Sequence, residues 1–314
     1  MQSEDAEVAA VAAAAEDEKP APVFHELFNS PDADSVLGSK DGVLFRVHSF
    51  VLKTTSGWFR AMFSLPQKSQ TPDDPAVIAY LDEDAATLEA LLRCVCGLPI
   101  PRLDSYDTIE ALLFAAEKYD MPGPPSIVRA MVSTPTLLAD PLRLFVLACR
   151  YGWEDVVQLA SAQTLSLSIY DKKYTASLEK LSSRSLLKLG ALHRGRRDAL
   201  EARLNEPPFV PDHGDSSCSH CGASVDYHTW RALKSKIFKE MDARPLGDMV
   251  VEPGMTLWDE AQSCWSAKCS NCHRVLYDKM ETQRVIRECM QQLPTTLDAM
   301  ASHEMEKLAL VHIG

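Results

Sequence analysis

The alternation of apolar and polar positions predicts a small β-sheet near the start of the chain. Residues 34–48 read DSVLGSKDGVLFRVH, a short apolar run and a turn followed by apolar residues at Val43, Phe45 and Val47. The Asp41-Gly42 pair provides the positive φ that a tight hairpin turn needs. Residues 77–80, which read VIAY, are a further strand candidate. We therefore expect a β-hairpin joined by at least one more strand.

Helical spacing governs most of the remaining chain. In residues 85–96, for example, apolar side chains recur at i, i+3, i+4 and i+7, and Gly97 and Pro99 follow as stop signals. The segments with this spacing are 49–63, 85–96, 108–119, 127–132, 141–150, 154–166, 182–204, 227–244, 276–293 and 295–311. From residue 135 onward the pattern is helical only. The predicted fold class is α+β, mainly α.

Composition predicts five segments along the chain. Residues 1–20 mix alanine with six acids and are predicted to be a disordered tail. Residues 21–134 hold the predicted sheet, and residues 135–205 form a helical extension. Residues 206–215 are rich in proline and are predicted to be a linker. Residues 216–314 contain two C-x-x-C pairs and further helical segments.

Charge and hydropathy exclude several classes of protein. The net charge is −12, and even the most basic stretch, residues 140–205, carries only +4. A protein that holds nucleic acid through many phosphate contacts is therefore not expected. Eighteen consecutive apolar residues do not occur anywhere in the sequence, and the acidic residues 1–20 do not have the pattern of a secretory signal. We expect a protein of the cytoplasm or nucleus that does not bind membranes.

The clearest chemical motif is the pair of C-x-x-C sequences at Cys218–Cys221 and Cys269–Cys272. A C-x-x-C turn directs two thiolates at one ion, so two such turns complete a tetrahedral shell for Zn²⁺. The interval between the pairs is longer than in common zinc ribbons, so the intervening chain must fold by itself. Four protein ligands leave no position for water or substrate, and the predicted zinc is structural.

Two alternatives to this ligand set stay open at the level of sequence. One is that a neighbouring side chain replaces one of the four cysteines, and the other is that all four are reduced thiols without a metal. The side chains that could replace a ligand are His220, His228, Cys264 and His273.

Residues 24–133 resemble the BTB/POZ domain, and the resemblance depends on three groups of residues. The first group lies on and after the predicted hairpin: Asp34, Val36, Leu37, Phe45, Val47, His48, Val51 and Leu52. The second is Ser56, Phe59, Met62 and Phe63, and the third is Leu112, Leu113, Ala116, Lys118, Tyr119 and Met121. Residues 140–205 are similar to the BACK-like helical extension that follows this domain in many fungal proteins. The resemblance implies a fungal BTB/POZ protein.

The resemblance also implies how the domain would act. It implies a symmetric homodimer whose interface includes Phe24, Leu27 and Phe28, although these side chains could instead fold onto their own core. Many members of the family bind a cullin-type ubiquitin ligase scaffold through a loop that often contains a hydrophobic-x-Glu triplet. The matching residues 64–70 read SLPQKSQ and lack the glutamate, which makes a role as a cullin adaptor the less favoured alternative. Asp34 and His48 are expected to be structural.

The remaining motifs do not indicate an enzyme. We find no G-x-x-x-x-G-K-[ST], G-x-G-x-x-G, H-E-x-x-H or G-x-S-x-G sequence. The basic cluster Arg194–Arg197 precedes Asp198 and Glu201 at i, i+4 spacing, which predicts a solvated face of ion pairs. A zinc-containing transcription regulator is disfavoured because residues 206–314 carry a charge of −5. The sequence therefore predicts a non-enzymatic interaction protein, an adaptor of partners that it does not identify.

Overall fold

The structure is a computed structural model that describes residues 22–65, 78–209, 217–251 and 254–300. The chain divides into two compact units, with the boundary between Val132 and Ser133. The predicted tail at residues 1–20 lies outside the described residues, as do most of the predicted linker, residues 66–77 with most of the loop predicted at 64–70, and residues 301–314. Within the described ranges, no helix combines the length and the hydropathy needed to cross a bilayer.

The first unit contains a mixed sheet with the strand order β1-β3-β2-β4. Its strands are β1 (Val23–Asn29), β2 (Ser35–Gly38), β3 (Val43–Val47) and β4 (Ile78–Tyr80). The predicted hairpin is confirmed, because β2 and β3 pair antiparallel from Ser35 opposite Val47 to Gly38 opposite Leu44. Gly42 in the turn has a φ of 88°, as a tight turn requires. The hydrophobic pattern did not predict β1, which pairs parallel with β3.

The first unit also contains five helices. They are α1 (Ser49–Thr55), α2 (Gly57–Ser64), α3 (Ala85–Val95), α4 (Tyr106–Lys118) and α5 (Gly123–Ala130). The predicted helical segment at 49–63 is divided at Ser56, whose hydroxyl accepts from the Phe59 amide and caps α2. The core that results contains Leu37, Phe45, Leu52, Phe59, Leu88, Ile109 and Leu112.

Asp34 has the structural role that the sequence predicted. Its two carboxylate oxygens accept from the backbone N–H and the hydroxyl of Ser49, each at 2.6 Å. These bonds hold the first residue of α1 against the loop before β2, and they lower the pKa of Asp34. His48 immediately precedes α1 and is exposed to solvent.

The second unit is helical, as the pattern from residue 135 onward predicted. Its helices are α6 (Pro135–Leu138), α7 (Pro141–Tyr151), α8 (Glu154–Thr164), α9 (Thr175–Leu178), α10 (Ser183–Arg203), α11 (His228–Ala243), α12 (Asp259–Ser266) and α13 (Lys279–Gln292). The end of α10 shares one hydrophobic core with α11, α12 and α13, in which Leu200, Trp230, Ile237 and Ile286 are buried. The helical extension and the cysteine-containing segment thus lie within one unit, and the finer division at 206–215 stays a prediction.

A buried histidine makes this unit sensitive to pH. His193 on α10 is 3% exposed, and its Nε2 lies 3.1 Å from the Thr164 hydroxyl. Burial, reinforced by the charge of Arg196, lowers the pKa of His193 to about 4. Because the folded pKa is below the unfolded value, burial of the neutral His193 does not reduce stability above about pH 6.5. As the pH falls towards 4, the free energy of unfolding decreases, because protons bind the unfolded chain more readily.

We therefore expect the free energy of unfolding to fall by about 2 kcal/mol through His193 when the pH is lowered from 7.5 to 5.0. The measurement is urea unfolding of the full chain at both pH values, followed by tryptophan fluorescence. In the His193→Gln variant, an uncharged amide takes the place of the imidazole, so this part of the pH dependence should disappear. Equal pH dependence in both proteins would contradict the assignment.

Candidate metal centre

Four cysteine sulfurs from two distant parts of the chain form one compact group. The Sγ atoms of Cys218, Cys221, Cys269 and Cys272 all lie within 4.8 Å of one another. The Cys218–Cys272 distance is 3.8 Å and the Cys221–Cys269 distance is 3.7 Å. Four sulfurs about 2.3 Å from a central ion would be separated by ~3.8 Å in a tetrahedron. The group therefore has the size of a tetrahedral thiolate site and could hold a metal ion.

The two C-x-x-C sequences adopt the same backbone conformation. In the first, the Cys218 amide donates to Ala223 O at 2.8 Å, and the Gly222 amide donates to Cys218 O at 2.8 Å. In the second, the Cys269 amide donates to Arg274 O at 2.9 Å, and the His273 amide donates to Cys269 O at 3.0 Å. Short antiparallel bridges close both turns. The matched turns explain how the short motif aims both of its sulfurs in one direction.

A left-handed residue follows the second cysteine in each turn. Gly222 has a φ of 73° and His273 has a φ of 57°. Glycine adopts this conformation without steric cost, whereas a histidine is strained there. His273 thus occupies the position of the turn that Gly222 occupies in the first C-x-x-C sequence. It is not part of the compact group of potential ligands.

Hydrogen bonds favour the thiolate form at two of the four sulfurs. The side-chain amide of Asn271 and the backbone N–H of Ala223 lower the pKa of Cys221 to about 6. The backbone amides of Cys272 and Asn271 lower the pKa of Cys269. A metal ion binds thiolates, so both shifts prepare the sulfurs for a cation.

The Cys272 thiol is shifted in the opposite direction. The Arg274 amide lowers its pKa, but burial and the other three sulfurs outweigh that bond and raise the value to about 11. The opposite shifts show that it is unfavourable in free energy to hold several thiolates at one point without a positive charge. A bound divalent cation would remove this penalty.

The alternative ligands proposed from the sequence lie outside the group of four. His220 is exposed, and its Nδ1 lies 3.4 Å from the Arg274 guanidinium. His228 is exposed beside Asp226. Cys264 is fully buried on α12, and burial raises its pKa to about 12. Within the described residues, the group close enough to share an ion therefore consists of the four cysteines of the two C-x-x-C sequences.

The group is built into the hydrophobic core of the second unit. Cys218 is 3% exposed and Cys269 is 1% exposed, and both belong to the buried cluster that includes Trp230 and Val285. The chain between the two turns folds into α11 and α12, so the long interval is occupied by helices that pack on one another. A metal here would hold two turns and the helices between them, which is a structural task.

The residues predicted at the dimer interface lie on β1 and have different environments. Leu27 is 55% exposed, whereas Phe28 is 5% exposed and packs against His25 and Phe45. Phe24 is half-buried, with the Arg46 guanidinium 4.3 Å from the centre of its ring. Of the three, Leu27 is the side chain that a second molecule could reach readily.

The basic cluster at 194–197 differs from its sequence-based interpretation. Arg197 pairs with Asp198 and with Asp242 on α11, at 2.7 and 2.6 Å, rather than with Glu201. Arg196 is buried, with 2% of its surface exposed, and so is not part of a solvated face. The pattern failed because Arg197 also reaches Asp242 on another helix and Arg196 donates to backbone carbonyls far away in the chain, which i, i+4 spacing does not reveal.

Comparison with known proteins identifies the first unit. Residues 22–134 match the family model of the BTB/POZ domain, in agreement with the resemblance and with the fold described above. The match ends at residue 134 and does not reach the four cysteines. A search of curated proteins returned no match to the chain. The chain thus contains a BTB/POZ domain, the type of domain that mediates protein–protein interaction.

Proposed function

We propose that this chain is a non-enzymatic interaction protein that dimerises through its BTB/POZ domain and carries a structural zinc in its second unit. The family match over residues 22–134 is the observation that supports the proposal most strongly. Proteins with this domain generally act as interaction modules and not as enzymes. A homodimer would hold two copies of the second unit at one place, and paired weak contacts to a client would gain from the high effective concentration.

Zinc is the metal that best suits the four-cysteine group. Thiolate ligands select soft or borderline ions, and a tetrahedral set of four sulfurs is typical of zinc in structural sites. The 3.7 and 3.8 Å separations and the hydrogen bonds to Cys221 and Cys269 support this choice. The ion would supply positive charge and a fixed geometry. The chain would supply two matched turns whose cysteines are already directed at one point.

The dimer is tested by the mass of the intact protein in solution. A single chain has a mass of 34.8 kDa, so light scattering at micromolar concentration should give about 70 kDa. Because Leu27 is exposed on β1, we expect Leu27→Asp to shift the protein towards the monomer without unfolding it.

The matched control for this experiment is Leu257→Asp. Leu257 is 75% exposed in the second unit, so its replacement introduces the same charge far from the BTB/POZ domain in sequence. We expect the control to keep the mass of a dimer. A mass near 35 kDa for the unmodified protein would rule out dimerisation.

A further inference from the structure

One sulfur of the four-cysteine group is open to solvent. The chain has nine cysteines, all of them within the described residues, and Cys221 is exposed whereas the other eight are buried or half-buried. Cys218 and Cys269 belong to the hydrophobic core of the second unit. A small solute that approaches the group from solvent therefore meets Cys221 first.

The two matched turns differ in exposure at equivalent positions. Cys221 and Cys272 are the second cysteines of turns that have the same backbone hydrogen bonds, yet Cys272 is half-buried. In the first turn, the residues on both sides of Cys221, His220 and Gly222, are exposed as well. The exposure of Cys221 is thus a property of this turn and not of the C-x-x-C sequence in general.

The cysteines outside the group are protected from oxidation by their environment. Oxidants react with the thiolate form of cysteine, and burial raises the pKa of all five of these thiols, so they stay protonated at neutral pH. The five are Cys94, Cys96, Cys149, Cys264 and Cys289. A sulfur that binds a metal ion is a thiolate. Accessibility and thiolate character therefore coincide at Cys221.

We propose that Cys221 is the site at which hydrogen peroxide modifies the four-cysteine group, and that this modification releases the zinc. The inference rests on the proposed function, because it assigns a regulatory reaction to the proposed structural zinc site. Oxidation of Cys221 converts a ligand into a sulfenic acid, which a neighbouring sulfur then converts into a disulfide.

The reaction has two steps. In the first, the Cys221 thiolate attacks one oxygen of the peroxide: the S–O bond forms, the O–O bond breaks, and hydroxide leaves. In the second, the Cys269 thiolate, whose Sγ lies 3.7 Å from that of Cys221, attacks the sulfenic sulfur. The S–S bond forms, the S–O bond breaks, and a second hydroxide leaves. Two thiolates have then given two electrons to one molecule of peroxide.

The disulfide removes two of the four ligands. Cys218 and Cys272 remain, and two thiolates do not complete a tetrahedral shell. The second unit then loses the ion that holds its two turns and the helices between them. Oxidation at an exposed position is thereby converted into a change in the buried core of this unit.

The first test measures the release of zinc from the full-length, zinc-loaded protein to a coloured chelator after addition of hydrogen peroxide. Cys221→His keeps four ligands, because imidazole also binds zinc, but it removes the exposed sulfur. We expect this variant to release zinc at least about tenfold more slowly than the unmodified protein. The matched control is Cys272→His, the same change at the equivalent position of the second turn. It keeps Cys221 and should release zinc within about twofold of the unmodified rate.

The second test uses the unmodified protein and needs no variant. The zinc-loaded protein is treated with substoichiometric hydrogen peroxide in the presence of dimedone, which forms an adduct with sulfenic acids, and its peptides are identified by mass spectrometry. We expect the first adduct at Cys221. Without dimedone, we expect a disulfide that contains Cys221, and zinc release that follows its formation.

Equal release rates from the two histidine variants would overturn the proposal, as would a first adduct at any cysteine other than Cys221. A protein that binds zinc stoichiometrically but keeps it through the peroxide treatment would contradict this inference alone and leave the proposed function intact. Absence of zinc before the treatment would instead contradict the proposed structural zinc itself.

Discussion

Replacement of Cys218 by serine is expected to abolish stoichiometric zinc binding and to unfold the second unit. A structural zinc contributes roughly 10–16 kcal/mol of apparent binding energy in small domains, and this energy becomes folding energy where the site does not exist in the unfolded chain. A whole domain is stable by only about 5–15 kcal/mol. Because Cys218 and Cys269 lie inside the core of this unit, loss of the ion should disrupt the packing around Trp230.

Two measurements on the full chain check this expectation. Elemental analysis of unmodified protein purified without chelator should give about one zinc per chain, and Cys218→Ser or Cys272→Ser should reduce the value to near zero. Tryptophan fluorescence should show that Trp230, which is 1% exposed, becomes accessible to solvent. Chelation of the unmodified protein should produce the same spectrum as the Cys218→Ser variant.

The control for these variants is Cys289→Ser. Cys289 is half-buried on α13 in the same unit and does not belong to the group of four. Its replacement should leave the zinc content unchanged and reduce stability only slightly. A zinc content near zero in the unmodified protein, or full zinc occupancy in Cys218→Ser, would show that the four sulfurs do not hold a structural ion.

The meeting of the four cysteines could be predicted because its signal is local. Each C-x-x-C sequence folds into the same turn, and the chemistry of thiolates explains why two such turns should meet. The path between them could not be predicted as well. The helix at 228–243 was anticipated from its apolar stripe, whereas α12 has only eight residues and was missed.

The sheet shows the same limit in the first unit. The hairpin of β2 and β3 has a turn sequence between two strands that are adjacent in the chain, so its pattern was sufficient. β1 and β3 are neighbours in the sheet, but β2 lies between them in the sequence. The residues of β1, Val23–Asn29, also alternate poorly between buried and exposed positions. The resemblance placed Phe24, Leu27 and Phe28 of this strand at a dimer interface and left open that they fold onto their own core. Phe28 is buried in its own domain, and the interface stays a prediction.

Arg196 is the residue whose role sequence reasoning missed most clearly. Its guanidinium donates to four backbone carbonyls: Pro245 at 2.8 Å, Leu246 at 3.2 Å, Leu293 at 3.1 Å and Pro294 at 2.8 Å. The first two acceptors follow α11 and the last two follow α13. Because the acceptors are 49 to 98 residues away in the chain, a local pattern of basic residues contains no sign of them.

These bonds connect α10 to the ends of two helices of the cysteine-containing segment. Burial lowers its pKa to about 10, so the side chain stays charged at neutral pH. A buried charge is tolerated only when hydrogen bonds replace the water that it has lost, and the four carbonyls provide them. The same bonds satisfy carbonyls at two chain segments that leave helices, where partners within the helix are missing.

We expect Arg196→Met to reduce the free energy of unfolding of the second unit by about 3–5 kcal/mol. Methionine fills part of the volume but leaves the four carbonyls without their donor. Arg196→Lys should be destabilising as well, because a single ammonium group cannot reach acceptors on both segments in the way that the planar guanidinium does. Urea unfolding of the full chain, followed by tryptophan fluorescence, gives the change in stability.

The matched control lies two residues earlier on the same helix. Arg194 is exposed and has no ion pair among the described residues, so Arg194→Met makes the same chemical change at a site without these bonds. Its effect should stay within about 0.5 kcal/mol. Equal stability of the Arg194→Met and Arg196→Met variants would mean that the four carbonyls find other partners, and that α10 does not depend on this side chain to hold the ends of α11 and α13.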